Sequence, residues 1–107
     1  MAERNCYIYR IQPVRPAMLS EGSTEEEAQI VDAHFEYLRS LTEQGIVMLA
    51  GRALATEYAS FGVVLFCAET PEIAQRIVDD DPAVYHRVMR AELFPFRLSL
   101  LGNLQAC

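Results

Sequence analysis

Apolar residues recur along this chain with two periods, and each period predicts a different kind of element. Across residues 23–45 they return every three or four positions, so that Ala28, Val31, Phe35, Leu38 and Leu41 gather on one side of a helix. Glu36, Arg39 and Glu43 lie opposite, and His34 falls at the inner edge of the apolar stripe. Ser23 and Thr24 can each cap this helix, and each has a Glu three residues on, the capping-box spacing. Gly45 stands where a left-handed C-terminal residue is wanted. Residues 5–12, rich in aromatic and β-branched side chains, predict a strand closed by Pro13. Residues 46–50 and 61–67 are continuous apolar runs, which suit strands buried on both faces. Gly51 and Arg52 between them predict a bulge or bend.

A second helix opens at Thr70 with Pro71 in its first position, and Ile73, Ala74, Ile77 and Val78 form its inner face. It stops near residues 79–81, because the residue before Pro82 is pushed out of helical geometry. One further turn is expected within residues 82–89. Residues 92–101 alternate, with Phe94, Phe96, Leu98 and Leu100 on one face, and predict a strand that Pro95 assigns to an edge or a bulge. Residues 14–22 are a loop long enough to lie over a cleft.

The order strand, helix, strand, strand, helix, strand is the split βαβ, ferredoxin-like pattern of the α+β class. It predicts a single domain over residues 1–107, with a four-stranded antiparallel sheet and two helices on one face. The middle strands are apolar on both sides, while the helices cover only one. A second subunit is therefore expected on the bare face, as a homodimer with its sheets packed face to face.

A formal charge of −6 argues against a nucleic-acid partner. All nine basic residues are Arg, and without Lys there is no Schiff-base or lysine-anchored pyridoxal chemistry. Cys6, Cys67 and Cys107 match no zinc or redox spacing and suggest two small buried thiols and a terminal one. No apolar signal-peptide core or membrane-length run is present, so a cytoplasmic protein without membrane contact is expected.

Chemistry centres on His34, since an imidazole titrates near neutral pH and can take a proton from a bound substrate. The alternative is a semi-buried histidine satisfied by a carbonyl or carboxylate. Asp79, Asp80 and Asp81 crowd a helix end where the dipole disfavours them. Asp81 can cap the turn at Pro82, or it can reach His34, fix its tautomer and stabilise the imidazolium. Arg10, Arg52 and Arg97 could fork onto an anionic group of a small-molecule ligand. His86 has no evident partner, and the five tyrosines, Tyr58 among them, suit core or interface positions. There is no nucleophile elbow, phosphate loop or metal-ligand cluster, and the chemistry expected needs no cofactor.

The run from His34 to Leu41, then Gly45-Ile46-Val47 and Ala50-Gly51, resembles the His-containing helix and following strand of the YciI-like (YCII-related) family. Asp81-Pro82 and the later Phe94-Pro95-Phe96 resemble its second half. The resemblance implies a dimeric α+β barrel with an active-site pair corresponding to His34 and Asp81, in a cleft beside the sheet. It also links the chain to lyase-type elimination on ring hydroxy compounds, and to isomerases and monooxygenases of small aromatics through the fold. The chain departs from the family in carrying Arg52 where Pro often follows Ala-Gly. It also has Tyr85-His86-Arg87 where a Gly is frequent.

These features suggest a small enzyme, of lyase or isomerase type, that uses His34 and Asp81 for general acid/base chemistry on a small polar or aromatic metabolite. Arg10 or Arg52 would hold an anionic group. The alternatives are a non-catalytic dimeric small-molecule-binding or accessory protein, and a structural dimer in which His34 and Asp81 satisfy each other.

Overall fold

A computed structural model of the chain describes residues 5–55 and 59–102. Cys107 and Tyr58 lie outside the described residues. The elements are β1 (Asn5–Pro13), α1 (Ala17–Ser20), α2 (Glu25–Glu43), β2 (Val47–Arg52), β3 (Gly62–Ala68), α3 (Pro71–Asp79), α4 (Pro82–Tyr85) and β4 (Met89–Phe96). Setting aside the one-turn α1 and α4, this is the expected βαββαβ order. The strands form one antiparallel sheet in the order β2-β3-β1-β4, with β1 and β3 in the middle. Among the described residues, no helix is long and apolar enough to cross a membrane.

Local chemistry fixes the ends of α2. Of the two candidate caps, Thr24 is used: its hydroxyl accepts from the Glu27 N–H at 3.1 Å, and the Glu27 carboxylate accepts from the Thr24 N–H at 2.8 Å. At the other end Gly45, at φ 77°, reverses the chain. The Ile46 and Gly45 N–H groups donate to the carbonyls of Leu41 and Thr42, which closes the last turn. The helix turns a slightly different face inward than its apolar residues suggest. Leu38 is buried and Ile30, Val31, His34, Tyr37 and Leu41 are half-buried, whereas Ala28 and Phe35 are exposed.

Alternation along β1 sends Tyr7, Tyr9 and Ile11 into the core beside Val64, Phe66, Leu38, Ala74 and Val78. Ile8 and Arg10 point to the opposite face, which none of the described helices covers. There Cys6 lies across from Cys67 and Phe96, and Ile8 across from Leu65 and Phe94. Cys6 and Cys67 are half-buried free thiols rather than core residues, and burial first, then its neighbour Cys67, pushes the Cys6 thiol up.

Two strand boundaries differ from the sequence pattern. β4 runs over Met89–Phe96 and not to residue 101, because its pairing with β1 ends at Cys6 across from Phe96, one residue from the start of β1. Leu98 and Leu100 are exposed beyond it, and Arg97 also follows the strand. β4 is an edge strand, which accommodates Pro95. In β2 the irregularity falls between Val47 and Leu49, not at Gly51-Arg52, which continue the ladder to Gly62. Met48 is the extra residue, and one extra residue moves every later side chain to the other face. Val47 is opposite the inward Phe66, yet Arg52 is opposite the inward Gly62. The bulge at Met48 therefore turns Arg52 toward the helix side.

Candidate active site

Three elements converge on one carboxylate. α3 ends at Asp79, and the backbone of Asp81 is extended (φ −62°, ψ 121°), as the residue before a proline prefers. This extended step turns Asp81 inward, fully buried, while Asp79 and Asp80 stay exposed. Asp81 Oδ1 accepts from the Ala83 N–H at 3.0 Å and so caps α4. Its Oδ2 accepts from the Tyr9 hydroxyl of β1 at 2.8 Å. His34 Nδ1, from the middle of α2, stands 2.7 and 2.8 Å from the two oxygens. An ionised carboxylate only accepts, so Nδ1 carries the proton and donates it. A buried carboxylate is costly unless fully hydrogen-bonded, and here each oxygen has donors. Capping and His34 contact, which the sequence presents as alternatives, occur together.

Tyr9 is a partner that the sequence did not single out. Nothing in residues 5–12 separates it from Tyr7, because its partner belongs to a segment more than seventy residues away. Burial first, and then the charge of Asp81, pushes its phenol well above the usual tyrosine range, so the hydroxyl stays protonated and donates. Tyr37 on α2 is also pushed up, to about 12, by burial and then by Asp80 and Asp81. Its hydroxyl goes elsewhere, donating to the Ile77 carbonyl at 2.6 Å.

The His34 side chain is 12% exposed, and it lines a cleft of about 890 Å³ between α1, α2 and the ends of β2 and β3. Asp81 does not line the cleft. The Nδ1 edge of the ring is thus turned into the core, and Nε2 is the nitrogen left for a ligand. Most of the wall is apolar, with Met18, Leu19, Val31, Leu38, Phe61 and Val64 among its residues. The segment preceding α2, which the sequence pattern predicts as a loop over residues 14–22, instead carries the one-turn α1 and contributes Met18 and Leu19 to the wall. At the sheet end of the cleft, Gly62 has no side chain to fill it; a Cβ there would meet Ile11 Cγ1 at 3.0 Å.

The arginines divide between the two sheet faces. Arg52 lines the cleft, exposed, with no hydrogen-bond or ion-pair partner among the described residues. Arg39 also lines it, but its guanidinium is engaged by Glu36 at 3.0 Å and lies over the Phe35 ring. Arg10 does not join the group. Strand alternation sends it to the helix-free face, where it pairs with Glu92 at 2.8 Å and its guanidinium lies 5.9 Å from the Phe61 ring centroid. His86 ends α4 on the surface, edge-on to Tyr85, away from the cleft. Among the described residues, no three His, Cys, Asp or Glu side chains are arranged to hold a metal ion.

A family model described as the YCII-related domain matches residues 8–97. Among solved structures, the chain is similar to the 5-chloro-2-hydroxyhydroquinone dehydrochlorinase of Burkholderia phenoliruptrix, solved in complex with 2,5-dihydroxybenzoquinone. The TM-score is 0.62 at 15% identity, over 87% of this chain and 95% of that one. It is also similar to an uncharacterized protein of Thermotoga maritima, with a TM-score of 0.58 at 12% identity, over 89% of this chain and 100% of that one. At these identities the likeness is one of fold. No curated protein matches the chain.

Proposed function

The chain belongs to the YCII-related domain family, and from that premise we propose that it is a small acid/base enzyme of lyase or isomerase type. Its substrate is a small polar or aromatic metabolite. The observation that carries this reading is a single one: His34 has Nδ1 held by a buried carboxylate and its remaining edge open to a cleft. That arrangement selects the Nδ1–H tautomer, keeps the lone pair on Nε2 and stabilises the imidazolium that forms when Nε2 takes a proton. One structural neighbour is a dehydrochlorinase of a hydroxylated ring, and elimination from such a ring is chemistry of the same kind.

In the proposed step, Nε2 accepts a proton from a substrate C–H or O–H. In an elimination the freed electron pair forms the new π bond, and the leaving group departs from the neighbouring atom with its own bonding pair. In an isomerisation the imidazolium returns the proton to a different carbon. Neither course needs a metal or organic cofactor. Arg52, with no ion-pair partner among the described residues and lining a mostly apolar wall, would hold an anionic oxygen of the substrate in this reading. Arg10 has no such access; it faces the surface on which we propose that two subunits pack.

The test is turnover by the wild-type protein and by His34→Asn against hydroxylated aromatics and small ring acids, followed by absorbance. Loss of general base catalysis lowers the rate about 100-fold or more. An equal rate in His34→Asn overturns the reading. Binding that both proteins share, without turnover in either, assigns the chain to the non-catalytic ligand-binding alternative.

A further inference from the structure

We infer that Tyr9 is a positioning residue of this site: its hydroxyl locks the Asp81 carboxylate and thereby keeps the His34 imidazole in one tautomer and one orientation. The inference rests on the reading of His34 and Asp81 as a proton-transfer pair, but it is tested without turnover. Asp81 has one rotatable bond between Cβ and its carboxylate, and three donors restrain it. Two of these, the Ala83 N–H and the His34 Nδ1–H, come from its own turn and from the group being positioned. Among the described residues, Tyr9 alone ties the carboxylate to the sheet. The ring is anchored in turn, fully buried and edge-on to Phe66 with centroids 5.8 Å apart. A phenol pushed far above neutrality donates this bond throughout the working pH range.

Without that hydroxyl, Oδ2 has only His34 as a donor and the carboxylate can pivot about its bond toward Ala83. The imidazole then loses its fixed acceptor. A structural role for Tyr9 would change stability alone, whereas a positioning role must change the His34 N–H bond itself.

The experiment measures exchange of the His34 Nδ1 proton with water by NMR in wild-type protein, Tyr9→Phe and Tyr37→Phe. Tyr37→Phe is the control, since it removes a partly buried hydroxyl that donates to the Ile77 carbonyl and not to Asp81. Losing a hydrogen bond to a charged acceptor is expected to speed Nδ1 proton exchange about tenfold or more in Tyr9→Phe, with Tyr37→Phe unchanged. Equal exchange in wild type and Tyr9→Phe, or equal acceleration in both variants, overturns the inference. If Tyr9→Phe does not fold, the wild-type protein still decides. Two donors on one oxygen bring the Tyr9 hydroxyl proton and the His34 Nδ1 proton into short contact. A cross-peak between them supports the anchor and its absence overturns it. Acceleration in Tyr9→Phe alone supports the anchor even if no compound is turned over, so failure of the enzyme reading is separately visible.

Discussion

Asp81 holds an imidazole and caps a helix with the same two oxygens, and this sharing fixes what a substitution there does. In Asp81→Asn, one carboxylate oxygen becomes an N–H₂ that can only donate. The Ala83 N–H still requires an oxygen acceptor, so the amide nitrogen takes the Oδ2 position, facing His34 and Tyr9. It then donates to Nδ1 and moves the imidazole proton to Nε2, the nitrogen that should act as base. The ring ¹⁵N spectrum of Asp81→Asn is expected to report the Nε2–H tautomer, and turnover to fall about 100-fold or more at unchanged fold. A retained Nδ1–H signal would overturn this account. The sequence made both His34 and Asp81 visible, one as an imidazole on an inner helix edge, the other as a carboxylate at a dipole-disfavoured end. It could not show that the two uses of Asp81 are compatible, because that depends on how both oxygens are shared in space. Tyr9 was hidden for the same reason.

Helix ends link sequence to stability at the level of elements, and two of them share one motif with different residues. α2 closes on Gly45; α4 closes with the same pair of bonds, Val88 N–H to the Ala83 carbonyl and Arg87 N–H to the Val84 carbonyl, but on Arg87 at φ 59°. A side chain in that left-handed region costs roughly 1–2 kcal/mol, and the extra freedom of glycine in the unfolded chain offsets about 0.5–1 kcal/mol of it. Arg87→Gly is therefore expected to stabilise by about 0.5–1 kcal/mol, a rise of a few degrees in melting temperature. The N-terminal end of α2 predicts pH dependence. The Arg15 hydrogen bonds, then the Thr24 N–H, hold the Glu27 carboxyl down at about 2, against 4.5 ordinarily. A depressed carboxylate stabilises the fold above its unfolded value and loses that contribution as pH falls through the folded one. Wild-type and Glu27→Gln melting temperatures should differ at neutral pH and converge between about pH 4.5 and 2. The capping signature and the glycine stop made α2 legible from residue types alone. The bulge was not: Gly51 looked like the irregular position, but Met48 is the inserted residue, and only cross-strand register reveals an insertion.

At the scale of the whole molecule, the long helices α2 and α3 pack on one face of the sheet, and none of the described helices covers the other. Leu49, Leu65, Ile8 and Phe94 form a row across the bare face, followed by Cys67, Cys6 and Phe96 in the next. Leu49 is 41% exposed, Phe94 48% and Phe96 38%. A contiguous apolar surface of this kind is rare on a monomer and suits a self-complementary two-fold contact. Light scattering is therefore expected to give twice the chain mass of 12.1 kDa. Phe94→Glu places a charge within the row, and burying it unpaired against a second copy is unfavourable by several kcal/mol. Because Phe94 is half-exposed in the single chain, this variant should remain folded and run as a monomer at micromolar concentration. Phe35→Glu is the matched control: Phe35 is exposed at 61% but lies on α2, on the other side of the sheet, and its replacement should leave the dimer intact. If both variants stay dimeric, the bare face is not the interface. If both become monomeric, the contact involves the helix layer, and the face-to-face arrangement inferred from two doubly apolar strands is wrong.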